Sequence, residues 1–170
     1  EMFFGEGITI FDDTIYMLTW KRGVCIKFNQ QTLETEGNFR YTGQGWGLTN
    51  DGTNLIMSNG SDQLIWRDPA TFDIVTSKTV TLNGNPLPRL NELEFVDGDI
   101  YANVFQTESI ARIDAETGEV TAMIDATGLM PARRPRDTVL NGIAYDRVSE
   151  TFLITGKLWP AMFEVIFVPK

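Results

Sequence analysis

Four short segments place functional side chains at the start of apolar runs: Phe4-Gly5-Glu6-Gly7, Gly45-Trp46-Gly47, Asn91-Glu92-Leu93 and Asn141-Gly142-Ile143. The apolar residues that open these runs, Ile8, Leu48, Leu93 and Ile143, are 40, 45 and 50 residues apart. A second set, Trp20, Gly60, Phe105 and Lys157, lies five residues after Ile15, Leu55, Ile100 and Phe152. Brought together, the two sets would supply a carboxylate, two amides, a cation and several aromatic faces. Such a mixture suits a small pocket with apolar walls and a few orienting polar groups. A carboxylate held there loses water, which raises its pKa and fits it for proton transfer. Glu6, between two glycines that would let the backbone turn its side chain inward, is the candidate acid/base. The plainer readings stand beside this one: Glu6 as a solvated loop residue, Trp20 and Trp46 as packing, Asn91 and Asn141 as turn caps, and Lys157 as a surface charge.

The absences are as informative. The 170 residues include no His, and Cys25 is the single cysteine. Ser-His-Asp and Cys-His catalysis are therefore excluded, as are zinc sites built from His and Cys and any internal disulfide. Asp12-Asp13 and Asp97-Gly98-Asp99 match no calcium-loop spacing, so no metal and no cofactor is expected. Cys25, between Val24 and Ile26, reads as a small buried strand residue. The net charge of −9 argues against a nucleic-acid partner, and Arg133, Arg134 and Arg136 read as a solvated loop. No apolar run reaches the roughly 20 residues of a membrane helix.

The elements that must position these groups are strands. Gly7–Phe11, Thr14–Trp20 and Gly23–Phe28 are β-rich and separated by turn residues, and the cadence returns three times. Asp51-Gly52 and Asp97-Gly98 between apolar runs read as hairpin turns. Asp68-Pro69-Ala70-Thr71 and Asp114–Gly118 read as turns into a fourth strand of a unit. Units of about 40–50 residues with four short strands predict an all-β propeller of four-stranded antiparallel blades, against the alternative of a β-sandwich. The chain holds a little under four such units, whereas propellers typically close with four to eight. The expectation is a single propeller domain over residues 1–170, shortened at its N-terminal side.

These segments, with Tyr101–Thr107, Ile110–Asp114, Val139–Ala144 and Thr155–Pro160, resemble the plant and bacterial type of glutaminyl-peptide cyclotransferase along the whole chain. The resemblance implies a five-bladed propeller whose first blade has no counterpart here. It also implies cyclisation of the N-terminal Gln of a peptide or protein to pyroglutamate, with release of ammonia and no catalytic metal. By resemblance Glu6 is the acid/base, Asn91 and Lys157 hold substrate and stabilise charge, and Phe4, Trp20 and Trp46 are aromatic walls. Phe105 stands where the family commonly has Trp, keeping the aromatic face but losing an indole N–H. Export to a secreted or periplasmic location is a further implication. The competing reading is a non-catalytic propeller module that binds a peptide or small ligand. A propeller hydrolase or lactonase lacks its usual metal-binding carboxylate and His set here.

Overall fold

The computed structural model describes residues 3–129 and 138–169. Four antiparallel sheets follow one another along the chain, each built from consecutive strands. The first blade is β1 (Gly5–Phe11), β2 (Thr14–Thr19), β3 (Val24–Asn29) and β4 (Thr35–Arg40). The second is β5 (Leu48–Asn50), β6 (Leu55–Ser58), β7 (Gln63–Arg67) and β8 (Ile74–Thr79). A small hairpin, β9 (Thr81–Leu82) with β10 (Asn85–Pro86), precedes the third blade and was not foreseen from the sequence. That blade comprises β11 (Leu90–Val96), β12 (Asp99–Val104), β13 (Ser109–Asp114) and β14 (Val120–Asp125). The fourth has three strands among the described residues, β15 (Leu140–Asp146), β16 (Thr151–Gly156) and β17 (Phe163–Val165). The expected propeller is thus present, with four blades among the described residues. Arg133, Arg134 and Arg136 lie outside the described residues.

The apolar core sits between blades. One cluster joins Tyr16, Leu18 and Cys25 of the first blade to Leu48, Leu55, Met57 and Phe72 of the second. A second joins Ile56, Leu64 and Trp66 to Leu93, Ile100 and Ala111. A third joins Tyr101 and Ile110 to Leu140, Ile143, Phe152 and Ile154. Burial of this apolar area is what fixes one blade against the next. Leu48, Leu93 and Ile143 therefore each pack against the blade before their own. Leu48, Leu93 and Ile143 are buried, whereas Ile8 is 53% exposed. Sequence alignment of the units makes Ile8 equivalent to the other three; among the described residues no blade precedes β1 to cover it.

The turn between the third and fourth strands recurs with the same chemistry. Asn29, Asp68 and Asp114 each accept, at Oδ1, the backbone N–H groups two and three residues on. The residue four positions on donates its N–H to the same residue's carbonyl and takes positive φ: Leu33 (59°), Phe72 (65°) and Gly118 (80°). Asp97-Gly98 is a two-residue hairpin turn with both φ values positive, as expected. Asp51-Gly52 departs from that expectation. Asp51 Oδ1 instead accepts the N–H of both Thr53 and Asn54, and residues 51–54 make a longer connection.

Candidate functional site

The inner strands share a defect that aims the candidate residues. In β1, Gly5 pairs with Thr19 and Ile8 with Met17, so Glu6 and Gly7 together face one residue, Leu18. In β11 the same shift puts Asn91 and Glu92 opposite Asn103, and in β15 it puts Asn141 and Gly142 opposite Thr155. The second blade repeats the arrangement just before β5. Trp46 N–H donates to the Ser58 carbonyl at 3.1 Å, and Ser58 N–H donates to the Gly47 carbonyl at 3.0 Å. Such bulges bend a strand and redirect its side chains. The first bulge position of successive blades is Glu6, Trp46, Asn91 and Asn141: an acid, an indole and two amides in one ring.

The glycines beside these residues serve close approach, not the inward turn expected of them around Glu6. Neither Gly5 nor Gly7 has positive φ. A Cβ on Gly7 would lie 2.5 Å from the backbone of Gly47 and Leu48, and one on Gly47 would strike the Asn91 carbonyl. The inner strands thus approach backbone to backbone, and Gly7 N–H donates to the Trp46 carbonyl at 2.6 Å. Ser58, fully buried, links the next pair: its Oγ accepts from Gly47 N–H at 2.8 Å and donates to the Asn91 carbonyl at 2.7 Å. Asn103 Oδ1 accepts from Gly142 N–H at 2.9 Å across the last pair.

The aromatic residues assemble around this ring. Phe4 meets Trp20 edge to face with centroids 5.9 Å apart, and the backbone N–H of Trp20 donates to the Phe4 carbonyl. Trp46 meets Phe105 in the same manner at 5.2 Å. Gly60 at φ 82° lies directly beneath the Trp46 ring, where a Cβ would come within 2.6 Å. Lys157 Nζ stands 5.6 Å from the centroid of Phe4, so the fourth blade reaches the first. Removal from water raises the pKa of Glu6, and the charge of Lys157 opposes that rise. The structure therefore gathers Glu6, Phe4, Trp20 and Lys157, and pairs Trp46 with Phe105. Asn91 joins them through its backbone; its side chain is buried, and its Oδ1 has no hydrogen-bond partner among the described residues. Asn141 Oδ1 is likewise without one.

Two further carboxylates escaped the sequence reading as strained acids. Burial pushes Glu92 up to about 8, and the nearby charges of Glu94 and Glu6 add to the rise. Burial pushes Glu94 up to about 7, against the Tyr145 N–H that donates to its Oε1 at 3.0 Å and the charge of Arg147. The sequence signal was the Asn91-Glu92-Leu93-Glu94 alternation on a strand otherwise read as a site edge. Among the described residues no group of three or more His, Cys, Asp or Glu side chains is disposed to hold a metal ion.

Comparison with known proteins addresses the ancestry of this arrangement. The model of the glutamine cyclotransferase family matches residues 1–167. The glutaminyl-peptide cyclotransferase of Arabidopsis thaliana is 32% identical over 168 residues, covering 96% of this chain and 52% of that protein. The chain thus spans about half the length of that relative. The crystal structure of Myxococcus xanthus glutaminyl cyclase superposes with a TM-score of 0.91 at 36% identity, covering 95% of this chain and 72% of that one. A protein of unknown function from Bacteroides caccae shares the fold alone, with a TM-score of 0.56 at 13% identity over 71% of this chain and 50% of its own. With bulges, walls and blade order on one side and a family match along nearly its whole length on the other, this chain belongs to the glutamine cyclotransferase family.

Proposed function

We propose that this chain carries the catalytic rim of a glutaminyl-peptide cyclotransferase, which converts the N-terminal Gln of a peptide or protein to pyroglutamate. The observation that carries the reading is Glu6: a carboxylate on a strand bulge, partly withdrawn from water and opposed by Lys157, whose ammonium stands 5.6 Å from the centroid of the Phe4 ring. As the carboxylate, Glu6 takes a proton from the α-ammonium of the substrate. The freed amine attacks the γ-carboxamide carbon and forms a new C–N bond and a tetrahedral carbon bearing the former carbonyl oxygen. Glu6 then returns the proton to the amide nitrogen, and the old C–N bond breaks as the carbonyl reforms in the five-membered lactam. The ring nitrogen gives up its surplus proton through Glu6 to the departing ammonia, which leaves as ammonium. A base with a raised pKa suits both halves of this exchange near neutral pH.

The remaining residues act on geometry and charge. Lys157 stabilises the negative charge that develops on the amide oxygen, and Asn91 helps to hold the substrate. Phe4, Trp20, Trp46 and Phe105 enclose the Gln side chain and fold it back on its own amine, a proximity effect. The reaction draws on no metal.

The test is ammonia release from a short peptide beginning with Gln, measured with and without a strong chelator. Glu6→Gln is expected to lower kcat by on the order of 10²–10⁴, the usual contribution of a general acid/base. Unchanged turnover in Glu6→Gln would remove the assigned role, and loss of wild-type turnover with chelator would replace the mechanism with a metal-dependent one.

A further inference from the structure

Trp20 and Trp46 come from different blades, yet a single atom holds both. The indole N–H of Trp20 donates to Gln44 Oε1 at 2.8 Å, and that of Trp46 donates to the same oxygen at 3.0 Å. An indole nitrogen can only donate, so the atom facing both rings must be the amide oxygen, whose two lone pairs they fill. Gln44 is solvent-exposed and belongs to residues 41–47, which cross from β4 to β5. Its backbone is fixed on one side by Gly45 N–H donating to the Trp20 carbonyl and, beyond it, by Trp46 N–H donating to that of Ser58, both at 3.1 Å. The side chain therefore starts close to both partners and loses little further freedom in reaching them.

We propose that Gln44 is a positioning residue that locks the two indole walls of the candidate site into one rigid unit. The other contacts of the rings do not do this. Trp20 is otherwise met by Phe4 and by Lys21 Nζ at 3.9 Å, and Trp46 by Phe105 and Gly60. Each of those contacts is specific to one indole. With both N–H groups engaged by Gln44, the indoles offer a ligand their apolar faces rather than their donors. Engaging a ligand between pre-set walls avoids the cost of ordering them at binding, so the tether acts on substrate affinity more than on the chemical step.

This inference rests on the proposed activity for one of its two readouts. Near-UV circular dichroism of the tryptophan bands reports ring immobilisation directly, and steady-state kinetics on a Gln-initiated peptide report KM and kcat. Gln44→Met keeps the length of the side chain but removes the acceptor; Gln44→Glu keeps an acceptor for both indoles. Gln44→Met is expected to weaken the tryptophan bands and raise KM about tenfold, the scale of two lost hydrogen bonds, with kcat within about threefold. Gln44→Glu is expected to restore the bands and most of the KM. Wild-type bands and KM in Gln44→Met, or a Gln44→Glu variant that behaves like Gln44→Met, would overturn the proposal. Should the wild-type chain release no ammonia while the bands weaken in Gln44→Met and return in Gln44→Glu, the tether stands and the proposed activity alone fails.

Discussion

Glu6 sits between two opposed influences: its removal from water raises its pKa, and Lys157 lowers it. The proposed proton abstraction needs the carboxylate, so activity should fall on the acid side as Glu6 becomes protonated. Taking away the cation leaves desolvation unopposed and moves the Glu6 pKa further up. Lys157→Ala is therefore expected to shift the acid limb of the kcat/KM profile to higher pH. The same substitution should also lower kcat by about 10²-fold, the loss seen when one charge-stabilising donor is removed from a developing oxyanion. A reduced rate with an unmoved limb would sever Lys157 from Glu6, and a wild-type rate would leave Lys157 as a surface charge. At this scale the sequence was informative about residue type and less so about environment. Glu6 stood out because it lay beside aromatics at a repeated position. Glu92 and Glu94 did not, because burial is the largest cause of both shifts, and burial between packed blades is contained in no local window.

Among elements, the recurring outer turn offers the sharpest test of how sequence becomes shape. Leu33, Phe72 and Gly118 occupy one backbone conformation, in which a side chain with a Cβ is strained by roughly 1–2 kcal/mol. Phe72 recovers that cost: it is buried, stacks on Phe39 with centroids 5.6 Å apart, and its carbonyl accepts from Arg67 Nη1 at 2.7 Å. Leu33 is 66% exposed and has no such return. Leu33→Gly should therefore raise stability by up to about 1 kcal/mol once the greater freedom of Gly in the unfolded chain is subtracted, measurable as a higher midpoint in urea. A lowered midpoint would show that Leu33 makes contacts its exposure conceals. The Asp68 and Asp114 turns were legible because Pro69 and Gly118 mark them. The Asn29 turn was not, since Leu33 hides a glycine-like position. The inner-strand bulges were equally hidden, because an extra residue shows only in the register with a partner strand.

The whole molecule is a chain of blades whose apolar joints lie between sheets, while its inner strands carry acids into those joints. Glu92 of β11 is raised to about 8 from an ordinary 4.5, and Glu94 to about 7, so the folded state holds protons that the unfolded chain would release. Between pH 4.5 and about 8 the native state binds more protons than the unfolded state, and stability falls as pH rises. The contribution is complete below pH 4.5 and is lost through the folded pKa values. A neutral amide in place of Glu92 carries no such dependence. The thermal midpoint of the wild-type chain should therefore drop between pH 5 and pH 8. In Glu92→Gln that drop should be shallower, with a midpoint near wild type at pH 5 and above it at pH 8. Calorimetric scans at the two pH values decide the matter. An equal drop in both proteins would mean that Glu92 keeps its charge in water, and a midpoint that rises with pH would place the controlling groups elsewhere. The same reserve of protons lies beside Glu6, whose charge helps to raise Glu92. Ionisation of Glu6 and ionisation of Glu92 are thus coupled through like charge. A profile of stability against pH therefore reads chiefly the burial of Glu92, with the charges of Glu94 and Glu6 as smaller contributions, and needs no substrate present.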